Sequence, residues 1–148
     1  MKVVIYLALF LTAVACNETP AKPLDKEKEE CVVELGLNRD EIIKLDALEL
    51  PIDTNADYNR FVACDSKKKG LMTANGEILY SAIKKLLLEL PDVKTLPKLV
   101  HSVYARIISD ALKRCETLPL SEKDPGKNMI HVFTCMFKEM DNIKESMV

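Results

Sequence analysis

Apolar residues recur at intervals of three and four along most of the chain, and no sustained every-second-residue alternation is present. The first spacing places apolar side chains on one face of a helix; the second would mark a strand. The chain therefore reads as all-α. The periodic segments predict helices near 24–36, 39–49, 55–69 and 76–90. Gly36, Pro51, Gly70 and Pro91 stand at their ends, where a residue free to take positive φ or one lacking an N–H halts a helix. A long fifth helix runs to about Cys115, with Thr95 as its expected cap and Pro97 in its first turn. A sixth starts near Pro125 and reaches 140 or beyond. Asn75-Gly76 is a hairpin dipeptide, but helix-like patterns flank it, so it is read as the entry to the fourth helix.

The last two helices carry unusually wide apolar faces. In the fifth, Val100, Val103, Tyr104, Ile107, Ile108 and Ala111 share one side, opposite Lys94, Lys98, His101, Ala105, Ser109 and Lys113. In the sixth, Met129, Ile130, Val132, Phe133, Met136, Phe137 and Met140 leave only a narrow polar stripe of Lys127, His131, Thr134, Lys138 and Asp141. A helix apolar most of the way round is buried on several sides. It either plugs a core or walls a cavity, and periodicity favours the plug.

The N-terminus adds a compartment. Lys2 precedes an apolar run from Val3 to Leu11, and small residues follow to Cys16, with Ala13 and Ala15 at cleavage spacing. That is the layout of a secretory signal peptide over residues 1–16, cut after 15 or 16, and the run is too short to span a bilayer. The expected product, 133 or 132 residues, is one secreted domain from about 17 to 148. Losing Lys2 leaves 20 basic residues against 23 acidic ones, a net charge near −3. With no basic block, nucleic acid and anionic lipid are poor partners. Cys31, Cys64, Cys115 and Cys135 remain, an even number that implies two disulfides in any of three connectivities.

Little in the chain resembles reaction chemistry. The two histidines, His101 and His131, both fall on polar stripes and are read as solvated surface residues. The segment Asp53-Thr-Asn55-Ala-Asp57 starts like a calcium loop. It fails at Tyr58, where such a loop needs Gly, and at Cys64, where it needs a bidentate Glu. It is read as a loop and a helix start. No catalytic residue, metal ligand or cofactor is assigned, and the chain is not expected to be an enzyme.

The cysteines point to a family. Cys31 lies in the first helix, Cys64 closes Phe61-Val-Ala-Cys64 and precedes Gly70-Leu-Met72-Thr-Ala-Asn-Gly76-Glu-Ile78, Cys115 closes the fifth helix, and Cys135 sits in the sixth. This pattern resembles the insect odorant-binding proteins of the general and pheromone-binding type. That family has six cysteines, the second four residues before the third and the fifth nine before the sixth. Counting back from Cys64 lands on Arg60, and from Cys135 on Gly126, in an Asp124-Pro125-Gly126 sequence where the family commonly has Asp-Pro-Cys. Both missing cysteines are partners in one family bridge, an absence that resembles the Minus-C subgroup.

The resemblance implies about six helices around an internal apolar cavity, with Cys31 paired to Cys64 and Cys115 to Cys135. It implies a secreted carrier of small hydrophobic molecules such as odorants or pheromones, monomeric or weakly dimeric, with a membrane receptor as a downstream partner. A secreted binder with no sensory role and a helical protein-interaction module without a cavity are the competing readings. The expected cavity lining is Phe61, Met72, Ile78, Ile83, Leu87, Val100, Val103, Tyr104, Ile107, Ile108, Met129, Ile130, Phe133, Met136, Phe137 and Met140. With few aromatics and several adaptable methionines, that lining is expected to be mainly aliphatic, with Tyr80, Ser81, Tyr104 or Thr134 orienting the ligand and Ile143 and Met147 closing one wall. Arg60 and Gly126 are expected to be neighbours, Arg60 reaching toward Asp124, so that cysteines at 60 and 126 would bridge.

Overall fold

The computed structural model describes residues 23–48 and 50–145, so the expected signal peptide and Met147 lie outside the described residues. Among those residues the chain forms seven helices: α1 (Lys26–Leu35), α2 (Arg39–Asp46), α3 (Ala56–Lys68), α4 (Tyr80–Leu88), α5 (Pro91–Lys94), α6 (Lys98–Cys115) and α7 (Pro125–Glu145). Polar caps start the first three: the side chains of Asp25, Asn38 and Asn55 accept hydrogen bonds from the backbone N–H of Lys28, Glu41 and Tyr58. Gly36, at φ 62°, ends α1 in the left-handed conformation that a Cβ would strain.

Three boundaries depart from the periodic reading. α2 stops at Asp46 rather than 49, because Leu48 and Leu50 point into solvent and no packing rewards further turns. The fourth helix begins at Tyr80, not 76. Asn75-Gly76 makes a tight turn instead, with Gly76 at φ 90° and Met72 and Ile78 forming an isolated antiparallel bridge. Backbone bonds from Thr73 N to Glu77 O (2.8 Å) and from Leu79 N to Leu71 O (2.9 Å) close it. Thr95 caps nothing on α6; its hydroxyl donates to the Pro91 carbonyl at 3.0 Å, finishing the short α5, and α6 starts behind Pro97.

The helices bury two cores on either side of α7. The larger, built by α4, α6 and α7, contains Met72, Ile83, Ile107, Ile108, Met129, Val132, Met136 and Met140. The smaller joins α1, α2 and α3 through Val32, Ile42, Tyr58 and Phe61, with Ile130 contributed by α7. Each core has its own staple. Cys31–Cys64 ties α1 to α3 and Cys115–Cys135 ties α6 to α7. Neither bridge crosses the seam between α3 and α7.

That seam is held by close packing and polar contacts. A Cβ on Gly126 would lie 1.8 Å from the Asn59 carbonyl oxygen, so the two helix backbones approach as only glycine allows. Buried Asn59 donates from Nδ2 to the Asp53 carbonyl and to Asp124 Oδ2, both at 3.0 Å. Asp124 also accepts from the Lys127 N–H at 2.9 Å, opening α7 ahead of Pro125. Asp53 Oδ2 meets His131 Nε2 at 2.7 Å and Lys127 Nζ at 3.1 Å, so His131 is a paired residue rather than a free surface one. Asn59, not Arg60, reaches Asp124. Arg60 is exposed and pairs with Asp57 one turn back.

Candidate functional site

Beyond the contact of Gly126 with Asn59, a half-open cavity of about 280 Å3 lies between α3, α7, α1, α2 and α4. Its size lies near the lower end for small-ligand sites, which run from roughly 300 to 1,000 Å3. The apolar part of the wall is Phe61, Val62, Leu71, Leu86, Ile130, Phe133 and Phe137, with Pro51 beside them. Every phenylalanine in the described chain is here. Phe133 and Phe137 stack at 6.3 Å between ring centroids, and Phe61 stacks on Tyr58 at 5.9 Å. A larger and more open groove of about 630 Å3 is bordered, among the described residues, by Lys26, Glu29, Glu30, Val33 and Glu34 of α1. The interhelical cavity, walled by five helices, is the candidate site.

The remaining wall is polar and belongs to α1, α2 and α3. Lys28 Nζ lies 2.6 Å from Asp46 Oδ2. Lys69 Nζ lies 2.9 Å from Asp25 Oδ2 and equally close to Asp65 Oδ1, and hydrogen-bonds Asp65 Oδ2 at 3.0 Å. Burial pushes the Asp65 carboxyl up, only partly offset by the Lys69 hydrogen bond and charge and the Lys28 charge. At Asp25 partial burial also opposes ionisation, but the hydrogen bonds from Lys69 and the Lys28 amide outweigh it and hold the carboxyl below its ordinary value. Burial, aided by the carboxylates of Asp46 and Asp65, drives the Tyr58 phenol far above its ordinary 10, so it stays protonated.

The sixteen residues expected to line a cavity separate into three places. Phe61, Ile130, Phe133 and Phe137 border this one. Met72, Ile83, Leu87, Ile107, Ile108, Met129, Met136 and Met140 are buried in the larger core, with Ile78 and Tyr104 packed against it. Val100 and Val103 are about half exposed, at 47% and 44%, on the first turns of α6. The cavity mixes Phe61, Phe133, Phe137 and Tyr58 with Val62, Leu71, Leu86 and Ile130, and none of the expected methionines is among these lining residues. Of the expected orienting groups, the Tyr80 hydroxyl is buried without a hydrogen-bond partner in the larger core region, and Ser81 is exposed. Tyr58, Asp65 and Lys69 border the cavity. Their signal was available: Tyr58, Phe61, Val62, Asp65 and Lys69 recur at intervals of three and four along α3 and beyond its end.

A small helical shell, stapled by disulfides around a cavity with one apolar and one polar wall, defines a protein that binds small ligands. Residues 15–139 match the PBP/GOBP family, and the chain belongs to this family of odorant- and pheromone-binding proteins. Its members are binding proteins rather than enzymes. No curated protein and no solved structure matches the chain.

Proposed function

We propose that the chain is a secreted carrier, which shields a small, mostly apolar molecule in the cavity between α3 and α7 and moves it through aqueous fluid. The observation that supports this reading is the cluster of Phe61, Phe133 and Phe137 along a half-open interhelical cavity in a member of a ligand-binding family. Burying apolar ligand surface there gains roughly 25 cal/mol per Å2, less the cost of ordering, which leaves micromolar affinity, about −8 kcal/mol. The signal-peptide pattern over residues 1–16 supports secretion, and among the described residues no helix is long and apolar enough to cross a membrane. By the same subgroup resemblance, Gly126 occupies the place of one lost cysteine and Arg60 that of its partner.

Displacement of an apolar fluorophore from the purified mature protein tests the reading. Medium-chain alcohols and esters are expected to compete at micromolar concentrations. If none of them displaces the probe, and native mass spectrometry of protein from its source releases no small molecule, the carrier reading is wrong.

A further inference from the structure

We propose that Leu86 sets the length of the molecule the site accepts, as the movable part of a partition between the candidate cavity and an adjoining one. This rests on the ligand-binding reading above and adds a limit on ligand size to it. The adjoining cavity is half-open and measures about 320 Å3. Gly70, Ala82, Lys85 and Glu89 border it alone, whereas Lys69, Leu71 and Leu86 border both cavities. The two spaces therefore meet at those three side chains.

The three differ in their freedom to move. The Lys69 ammonium sits between Asp25 and Asp65, 2.9 Å from each. Leu71 is buried in the larger core, and its carbonyl accepts from the Leu79 N–H at 2.9 Å, so shifting it would open both the core and the turn before α4. Leu86 is 38% exposed on α4 and is part of neither core; the buried residues of that helix are Ile83 and Leu87. An exposed side chain exchanges rotamers within nanoseconds, so Leu86 turns aside at little cost to the fold. A hydrocarbon chain that outgrows the first cavity passes there and runs on along Leu71 and Ala82. It gains less per carbon beyond that point, because it displaces Leu86 from its own contacts and enters a space bordered by the exposed Lys85 and Glu89.

The straight-chain 1-alcohols from hexanol to tetradecanol differ in length alone, and each is to be titrated against the same apolar fluorophore. Affinity should rise roughly fourfold per methylene while the chain fills the first cavity, then by roughly twofold or less once it reaches Leu86. Leu86→Ala removes three side-chain carbons, joins the two cavities and should move that break about two carbons longer. Leu86→Phe should move it about one carbon shorter, which gives a second reading should the first variant fold poorly. Hexanol should keep its affinity within about threefold in both variants. Leu99→Ala, on the open first turn of α6 and bordering neither cavity, should leave the whole series unchanged. A break at the same chain length in wild type and both Leu86 variants overturns the length inference while leaving ligand binding intact, as does an equal loss for every alcohol in Leu86→Ala. If no alcohol displaces the fluorophore, the inference and the carrier reading fall together.

Discussion

Replacing Gly126 with alanine puts the α3–α7 seam under direct stress. In the first turn of an ordinary helix this change is neutral or stabilising, by up to about 1 kcal/mol, because alanine loses less backbone entropy. Here the new Cβ would lie 1.8 Å from the Asn59 carbonyl oxygen and 2.6 Å from its carbon. Carbon–oxygen contacts settle near 3.3 Å, so α7 has to retreat by about 1.5 Å. Both groups are helix backbone, so no side chain can turn aside. The retreat stretches the two 3.0 Å bonds from Asn59 to Asp53 and Asp124 and loosens Ile130 from the smaller core. Overpacking of this kind costs about 1–3 kcal/mol, and a backbone-on-backbone clash belongs at the upper end. For a domain of this size that lowers Tm by about 10 °C. Differential scanning calorimetry of Gly126→Ala against wild type reads the effect directly. An unchanged or higher Tm refutes the account, because it would mean the seam has room for a side chain. The same clash bears on a bridge engineered at 60 and 126. Gly126→Cys alone should lose as much stability as Gly126→Ala, and the pair Arg60→Cys with Gly126→Cys closes only after α7 has moved.

Three other outcomes follow from the same geometry. Phe133→Ala should weaken binding of an apolar fluorophore by roughly tenfold or more, since it strips an aromatic face from the cavity wall, whereas Val100→Ser, on the open turn of α6, should leave binding unchanged and stability within about 0.5 kcal/mol. Asp53 is held ionised below its ordinary pKa of 3.8 by its contacts with His131 and then Lys127, so its contribution is fully present above that value and is lost as pH falls through the lower folded-state pKa. Denaturant titrations of Asp53→Asn should accordingly show less acid destabilisation below about pH 4 than wild type, and parallel curves would remove Asp53 from the explanation. Replacing Cys31 and Cys64 together by serine opens a loop spanning 33 positions and should lose roughly 4 kcal/mol, slightly more than the same change at Cys115 and Cys135, where 20 positions are spanned; urea midpoints compare the two.

Much of this protein is local and therefore legible along the chain. The turns that stop α1 and α3 depend on Gly36 and Gly70 taking positive φ, the start of α7 on an Asp-Pro pair, and the helical class on three-and-four spacing. The absence of cysteine at 60 and 126 could be counted without coordinates. What spacing cannot supply is the partner of each face. α7 presents two apolar stripes: Met129, Val132, Met136 and Met140 enter the larger core, while Ile130, Phe133 and Phe137 border the cavity. Both stripes are apolar and helical in period, so hydrophobicity ranks them alike, and only the placement of α6 against one and α3 against the other tells core from wall. Val100 and Val103 continue the α6 stripe but remain half exposed, because the neighbouring helices do not cover its first turns. The polar wall shows the same division. Lys28, Asp46, Asp65 and Lys69 look like ordinary charged surface in sequence, and three separate helical segments had to converge before their charges could share one cavity, with Asp25 pairing to Lys69 beside it. Gly126 joins the two levels: along the chain it is a glycine where the resembled pattern has a cysteine, and in the fold it meets the Asn59 carbonyl, 67 positions away, against which a Cβ does not fit.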